Sequence, residues 1–115
     1  MNQYLLLFRG GDPGAAGVGP EQSMQQWASW IGALRTAGAF VHGEPLQGPA
    51  GVVLHPGGRR DDVVPGAPQA AVSGYLALRA ADLAAAEAMA RDCPVLGHGG
   101  SVEIRPSWVM NGSAT

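Results

Sequence analysis

Residues 74–108 read GYLALRAADLAAAEAMARDCPVLGHGGSVEIRPSW, and their pattern predicts a strand, a helix and a second strand. The first strand covers residues 74–79, and Asp82 follows with a carboxylate suited to a helix N-cap. The helix ends before Pro94, because proline cannot continue the hydrogen bonding of a helix interior. A loop then leads into the second strand, residues 101–106. The segment is therefore one complete strand–helix–strand unit.

The N-terminal half of the chain predicts the same order of elements. An apolar run within residues 3–9 predicts a strand, and Pro20 suits the first position of a helix, where its missing N–H is no loss. Gly38 ends this helix, and residues 39–46 predict the next strand. The apolar stripe of the helix consists of Met24, Trp27, Ile31 and Leu34, with Trp30 beside it. Two such halves in one domain of 115 residues indicate one particular architecture of helices and strands.

The first strand is apolar at consecutive positions rather than at alternate ones. A strand with one solvated face alternates apolar and polar residues, whereas residues 4–8, YLLLF, form an unbroken run. The two predicted helices can cover only one face of a sheet. A second copy of the chain would cover the other face, so the sequence predicts a homodimer.

Composition narrows the class of protein. Charged residues make up 14% of the chain, against roughly 25% in ordinary soluble domains, which favours a surface partly covered by another subunit. The net charge of −2 argues against a nucleic-acid partner, which needs a basic face. The absence of a long apolar run and of a signal-peptide pattern predicts a cytoplasmic protein with no membrane partner. All seven basic residues are arginine, which indicates a GC-rich bacterial genome.

The central part of the chain carries weaker signals. Residues 51–55 predict a short strand, which the turn Pro56-Gly57-Gly58 ends. Residues 59–68 are charged and then rich in proline and glycine, which predicts a loop or a poorly paired edge segment. We expect one domain over residues 1–108 and a flexible C-terminal tail over 109–115.

His42 and Glu44 are the first candidates for chemistry. They lie two residues apart on a predicted strand, so both side chains project from the same face. Glu44 could orient the imidazole of His42, which would then act as a general acid or base. The alternative is a pair that faces solvent or a partner subunit.

Three arginines form a second candidate group. Arg9, Arg79 and Arg105 each lie at or near the end of a predicted strand. If these strands are neighbours, the three guanidinium groups could converge on a carboxylate or phosphate ligand. The alternative is that they pair with Glu103 or Glu44, or point to solvent.

No spacing in the chain predicts a metal or a cofactor. His42, His55 and His98 lie on separate segments, and neither the dinucleotide-binding nor the P-loop glycine motif is present. Cys93 is the single cysteine, which excludes an internal disulfide. We expect Cys93 to be a small buried side chain, with a reactive thiol as the alternative.

Short segments spread in order over nearly the whole chain are similar to one protein family. The segments are Tyr4–Gly11, Trp27 and Trp30, Gly43–Leu46, Gly74–Tyr75, Asp82–Leu83 with Ala86, Cys93–Pro94, and Gly100–Pro106. Together they resemble the YCII-related (DGPF-domain, YciI-like) proteins. The resemblance implies a ferredoxin-like βαββαβ fold of the α+β class, with an antiparallel sheet that pairs with a second copy into a dimeric α+β barrel.

The chain departs from the family at two places. The Asp-Gly-Pro-Phe signature would fall near residues 65–68, Pro-Gly-Ala-Pro, where only the glycine is kept. In YciI-type members a His–Asp pair is proposed as catalytic, with the histidine on the first helix. The first helix here has neither residue, and Trp27 and Thr36 lie near the corresponding positions. No catalytic residue is therefore carried over, and the family implies an architecture rather than an activity.

The first functional hypothesis is a homodimer with a small-molecule site in a cleft between sheet and helices, and with lyase- or isomerase-type activity. Arg9, His42 and Glu44 would line the cleft, with Arg9 neutralising an anionic ligand and His42 as the catalytic candidate. The second hypothesis is a non-catalytic dimer that binds a ligand or a partner. A third, cofactor-free oxygenase chemistry, rests on analogy with other dimeric α+β barrels.

Overall fold

A computed structural model describes residues 1–48 and 50–109. The described residues form an α+β domain with antiparallel sheets, as expected. The strands are Asn2–Arg9 (β1), Phe40–Pro45 (β2), Val52–Leu54 (β3), Arg60–Asp62 (β4), Val72–Ala80 (β5) and Ser101–Ser107 (β6), and the helices are Pro20–Thr36 (α1), Leu83–Ala90 (α2) and Pro94–Gly97 (α3). No helix among these residues combines the length and hydrophobicity needed to cross a bilayer. The predicted tail, residues 109–115, lies outside the described residues apart from residue 109.

Four strands form the main sheet, in the order β2-β5-β1-β6, and every neighbouring pair is antiparallel. It follows that β1 and β2 run parallel with β5 between them, while β5 and β6 run parallel with β1 between them. The two strand–helix–strand halves predicted from the sequence are therefore present, and each is split by a strand of the other. Leu6 occupies the centre, paired with Leu76 on one side and Ile104 on the other.

One side of the sheet, here called the helix face, carries the hydrophobic core. Alternate residues of the central strands point to this side and are buried beneath the helices, as the pleat of a strand requires. Ala86 and Ala90 of α2 are buried against it, and their small side chains let the helix approach closely. The strand residues of this core are Tyr4, Leu6, Phe8, Leu76, Leu78 and Ala80.

The other side, here called the open face, carries the intervening residues of the same strands. Leu5 and Leu7 of β1 lie there and are half-buried. Around them, aligned by the register, are His42 and Glu44 on β2, Tyr75, Ala77 and Arg79 on β5, and Glu103 and Arg105 on β6. The open face therefore combines a leucine pair with charged and polar neighbours.

The apolar stripe of α1 is less buried than its sequence indicates. Trp30 and Leu34 are buried, whereas Trp27 and Ile31 are only half-buried and Met24 is 72% exposed. The C-terminal half of α1 packs on the core, and its Trp30 indole N–H donates to the Met89 carbonyl oxygen of α2 at 3.0 Å. The N-terminal half stands away from the core. The apolar stripe therefore contributes to the core mainly through its C-terminal half.

The segment from Asp82 to Gly100 differs from its prediction in two details. Asp82 caps α2 as expected, since its carboxylate accepts a hydrogen bond from the Ala85 amide at 2.9 Å. Leu83 opens this helix, and its apolar side chain predicts a place on the buried side, but it is 44% exposed and is not part of the core. The segment after Pro94, expected to be a loop, begins with the short helix α3, since proline suits the first helical position.

The central segment forms a small hairpin of its own. β3 confirms the short strand predicted within residues 51–55, and its three residues pair with β4 in an antiparallel ladder. The intervening residues Pro56–Gly58 make a tight turn, in which Gly57 adopts a φ of 80°. Residues 60–62 are thus a paired strand at the edge of the molecule, which matches the alternative of an edge segment rather than a loop.

Candidate functional site

A cavity of about 450 Å³ lies between α1 and the helix face of the sheet. This volume is within the range of small-molecule sites, roughly 300–1,000 Å³. Its lining is mainly apolar. The cavity is the space between the N-terminal half of α1 and the sheet. The residues that border it are Phe8, Gly10, Gly11 and Pro13; Ser23, Met24, Trp27 and Ile31; Gly43, Glu44 and Pro45; Ser73, Gly74, Tyr75 and Leu76; and Val95 and His98.

Two glycines form part of the floor of the cavity. Gly43 on β2 pairs with Leu76, and Gly74 on β5 pairs with Pro45, so both glycines lie on the helix face. A Cβ on Gly43 would lie 2.8 Å from the carbonyl oxygen of Tyr75, and a Cβ on Gly74 would lie 3.0 Å from that of Glu44. The close approach of β2 and β5 therefore requires glycine at both positions. As a consequence, the floor has no side chains where other strand residues would fill the space.

Aromatic side chains close the inner part of the cavity. Phe8 rises from β1 next to Gly74, and Trp27 descends from α1. Their ring centroids are 5.2 Å apart with an interplanar angle of 67°. Trp30 packs edge-on against both rings and anchors them in the core. The two lining rings are therefore held at a steep angle to each other.

His98 is the buried histidine of the chain and borders the cavity. It is 7% exposed, and its Nε2 lies 2.8 Å from Oε1 of Gln26 on α1. Because the amide oxygen can only accept, Nε2 carries the proton and donates, which leaves Nδ1 as the acceptor of a neutral ring. The loop around His98 is fixed by the Asp12 amide, which donates to the His98 carbonyl oxygen at 2.8 Å.

Sequence reasoning did not select His98 as a site residue. Its partner Gln26 is 72 residues away in the chain, so no local spacing links the two. The glycines on both sides of His98 are the one local signal, because a histidine in a glycine-rich loop beside a strand is placed by backbone turns rather than by a helix stripe. That signal identifies neither the hydrogen-bond partner of His98 nor the side of the sheet on which His98 lies.

The predicted arginine group meets only in part. Arg9 and Arg105 both bind Glu103 on the open face, at 2.5 and 3.1 Å. The hydrogen bonds from Arg105 and Arg9 lower the pKa of the Glu103 carboxyl group. Arg79 lies opposite Gln3, toward the other end of β1. For Arg9 and Arg105 the structure therefore matches the alternative, in which the arginines pair with a glutamate, rather than a site in which all three guanidinium groups converge.

His42 and Glu44 share the open face, as predicted, and Tyr75 joins them. The Tyr75 hydroxyl lies 2.8 Å from His42 Nδ1, and His42 Nε2 lies 4.0 Å from a carboxylate oxygen of Glu44. The His42 side chain is 59% exposed. The imidazole therefore lies on the surface of the chain, which matches the alternative of a pair that faces solvent or a partner subunit.

The three residues expected around one cleft do not come together. Glu44 borders the cavity, whereas Arg9 and His42 are absent from its lining. His42 pairs with Ala77 on β5, which in turn pairs with Leu5 on β1. Arg9 lies four residues along β1 from Leu5, and β2 is two strands away from β1. His42 and Arg9 are therefore separated by roughly 16 Å. Strand alternation sends Arg9 and His42 to the opposite side of the sheet from the cavity, so this cavity does not unite the three residues. Ligand binding by Arg9, His42 and Glu44 stays a prediction.

His55 has its own partners away from the cavity. Its Nε2 lies 2.8 Å from a carboxylate oxygen of Asp61, across the hairpin of β3 and β4, and Arg59 contacts the same oxygen at 3.3 Å. Within the described residues no three metal-ligating side chains cluster. The three histidines thus occupy three separate places: the open face, the hairpin and the cavity.

Cys93 is buried, as expected, and we predict that its thiol reacts slowly. Burial raises its pKa to about 11, so almost no thiolate is present near neutral pH. Alkylation by iodoacetamide at mild alkaline pH should be much slower in the native protein than in urea, and mass spectrometry of timed samples measures both rates. The thiol of an unfolded cysteine ionises near pH 8.5, whereas the native thiol keeps its proton until about pH 11. The free energy of unfolding should therefore fall as the pH rises from about 8.5 toward 11, because only the unfolded state loses the proton in this range. Equal alkylation rates would contradict the prediction.

No family model and no curated protein matches the chain. The cavity and the open face are therefore the features from which a function is argued.

Proposed function

We propose that the chain is a YCII-related protein that binds a small neutral molecule in the cavity between α1 and the sheet, and that it does so as a cytoplasmic homodimer. The observation that carries the proposal is the cavity itself: about 450 Å³, mainly apolar, and bordered by one buried histidine held by Gln26. Apolar pockets with a few placed polar groups are the usual form of small-molecule sites.

The strand order supports the family proposal. Two strand–helix–strand units interleave in one antiparallel sheet, which is the split arrangement of the ferredoxin-like fold. The family segments fall at structurally constrained positions: Gly43 and Gly74 let β2 and β5 approach, and Asp82 caps α2.

The open face supports the homodimer proposal. Leu5 and Leu7 lie at its centre, with Ala77 of β5 beside Leu5. A second open face laid over this one would remove the leucines from water and complete the dimeric α+β barrel. Helices already occupy the other face of the sheet, which leaves the open face as the surface for a second copy.

The charge of the lining decides the kind of ligand. None of the described residues that border the cavity is an arginine, and the chain has no lysine. Arg9, the residue expected to neutralise an anion, is paired with Glu103 on the other side of the sheet. An anion in the cavity would lose its hydration without a counter-charge. Glu44 is the one acidic residue among the described residues of the lining, and strand alternation points its side chain to the open face, so a cation finds no partner there either. The proposal is therefore a neutral ligand.

Binding without turnover is the form of the proposal that the geometry favours. His42, the acid–base candidate, lies outside the cavity. His98 could transfer a proton there, but a lyase or isomerase mechanism ordinarily needs a second acid–base group near the reacting atoms. Catalysis by a lyase, an isomerase or a cofactor-free oxygenase stays a prediction from the family and the fold.

A cavity-filling substitution tests the site. Ser23 and Ser29 both lie on α1, but only Ser23 borders the cavity, while Ser29 is exposed. A thermal-shift screen of neutral alcohols, phenols and amides should yield compounds that raise the melting temperature of the native protein. Ser23→Leu should weaken binding of these compounds about tenfold or more, which is about 1.4 kcal/mol, as measured by calorimetry.

The matched control is Ser29→Leu, which makes the same change on the same helix and should leave binding unaltered. A screen without any binding compound, or an equal loss in both variants, would remove the support for a site in this cavity.

A further inference from the structure

We infer that the ligand of the cavity is a flat, unsaturated ring system bearing one O–H or N–H group, and that His98 accepts the hydrogen bond of that group. The inference rests on the proposed function, since it names the class of molecule that the same cavity takes. Three features of the cavity support it: the floor, the aromatic walls and the histidine.

The floor of the cavity is suited to a flat molecule. On the helix face, β2 and β5 present a patch of four residues, in which Gly43 lies beside Leu76 and Pro45 beside Gly74. The two glycines occupy diagonal positions, so two of the four positions raise no side chain from the floor. Neither glycine can be replaced by a residue with a Cβ without a contact of 3.0 Å or less to the neighbouring backbone. A thin ring can lie on such a floor, whereas a thick saturated ring needs more height.

The walls add a preference for aromatic rings. Phe8 and Trp27 border the cavity at an interplanar angle of 67°. Phe8 is 5% exposed and Trp27 is half-buried, so the indole of Trp27 is the aromatic surface on which a ligand can pack. A flat unsaturated ring can stack on it in the offset geometry that aromatic rings prefer, whereas an aliphatic ring of the same size gains contact area without this electrostatic arrangement.

His98 supplies the polar end of the site. Its Nε2–H is taken by Gln26, so Nδ1 is the atom of the neutral ring that accepts a hydrogen bond. Within the described residues, the contact with Gln26 is the one side-chain hydrogen bond of this imidazole. Among the described residues no fully buried side-chain nitrogen or oxygen lacks a partner, so Nδ1, for which no partner is found, is accessible. A ligand O–H or N–H beside His98 would satisfy Nδ1, while an ether or ketone in the same place would leave two acceptors facing each other. The histidine thereby selects a donor.

Three matched probes separate these contributions. α-Naphthol is flat and has an O–H donor, α-decalol has the same skeleton and donor but a saturated ring system, and α-methoxynaphthalene is flat without the donor. Titration calorimetry on the full chain should show α-naphthol binding about tenfold more tightly than either of the other two. Ser23→Leu should weaken α-naphthol binding, which locates the probe in the cavity.

His98→Phe keeps a planar side chain and removes the acceptor. It should reduce the affinity for α-naphthol to that for α-methoxynaphthalene, and leave the affinity for the ether unchanged. In the unmodified protein, the nitrogen NMR resonance of His98 Nδ1 should shift on addition of α-naphthol and stay in place on addition of the ether. This second measurement tests the hydrogen bond even where the variant fails to fold.

The outcomes distinguish the inference from the proposed function. Equal binding of α-naphthol and α-decalol would overturn the flat-ring part, and equal binding of α-naphthol and its methyl ether would overturn the role of His98. If none of the three probes binds while other neutral compounds from the screen do, the inference fails and the proposed function stands. If no neutral compound binds at all, both fail.

Discussion

Replacing Gly100 with alanine should lower the free energy of unfolding by about 1–3 kcal/mol, the usual cost of forcing an extra methyl group into a filled space. A Cβ at this position would lie 2.6 Å from the Arg9 carbonyl oxygen, 2.6 Å from a methyl group of Val95 and 2.9 Å from the Gly11 amide nitrogen. Two of these atoms belong to the backbone, which cannot move aside as a side-chain tip can. Urea titration followed by circular dichroism measures the change.

Gly97 provides the matched control for this substitution. It is three residues away, at the end of α3, and nothing lies within 4 Å of the position a Cβ would take. Gly97→Ala should therefore leave stability unchanged or raise it by up to about 1 kcal/mol, because alanine restricts the unfolded chain. If both variants lose stability alike, the cost at Gly100 comes from the general intolerance of this loop and not from the three close contacts.

The elements of this fold could be predicted because their signals are local. Asp82 marks the beginning of α2, and Pro20 and Gly38 bracket α1 to within two residues. Each is a residue whose backbone or side chain suits one position of a helix and few others. The burial of Cys93 could be predicted in the same way, from a lone thiol among apolar residues.

The site could not be predicted, because it depends on which face of a strand each residue occupies. The run of apolar residues from Tyr4 to Phe8 shows that both faces are apolar, but it does not show which one the helices cover. The sequence therefore predicts Arg9 and His42 in the cleft, while the structure places both on the open face. The contact of His98 with Gln26 joins distant segments, and only the folded chain reveals it.

The cavity could not be predicted for a related reason, because it depends on how separate elements pack together. A helix with an apolar stripe predicts burial along its whole length, and nothing in α1 itself signals that its first half stands off the sheet. Gly43 and Gly74 border the cavity together with Trp27 and Ile31, and neither glycine contributes a side chain that could fill it. A glycine in a strand usually indicates a close backbone approach or a bulge; here the close approach of β2 and β5 also creates the room for a ligand.

Leu7→Lys should convert the proposed homodimer into a monomer. Leu7 lies at the centre of the open face, between Tyr75 on one neighbouring strand and Glu103 on the other. In a single chain the new ammonium group lies next to the Glu103 carboxylate and reaches solvent, so the fold should keep its stability. In the dimer the same charge would be buried between two sheets, where it costs several kcal/mol per copy unless it finds a partner. Size-exclusion chromatography with light scattering gives the mass of each species.

The control for this effect is Leu96→Lys, which makes the same substitution on α3, at a side chain that is 44% exposed on the helix-covered side. It should leave the mass of the native protein at that of the dimer, while Leu7→Lys gives the mass of one chain with an unaltered circular dichroism spectrum. A native protein that is already monomeric at high concentration would contradict the homodimer, and a Leu7→Lys variant that stays dimeric would move the interface away from the open face. The charged side chain thus reports on the open face alone, because α1 and its cavity lie on the other side of the sheet.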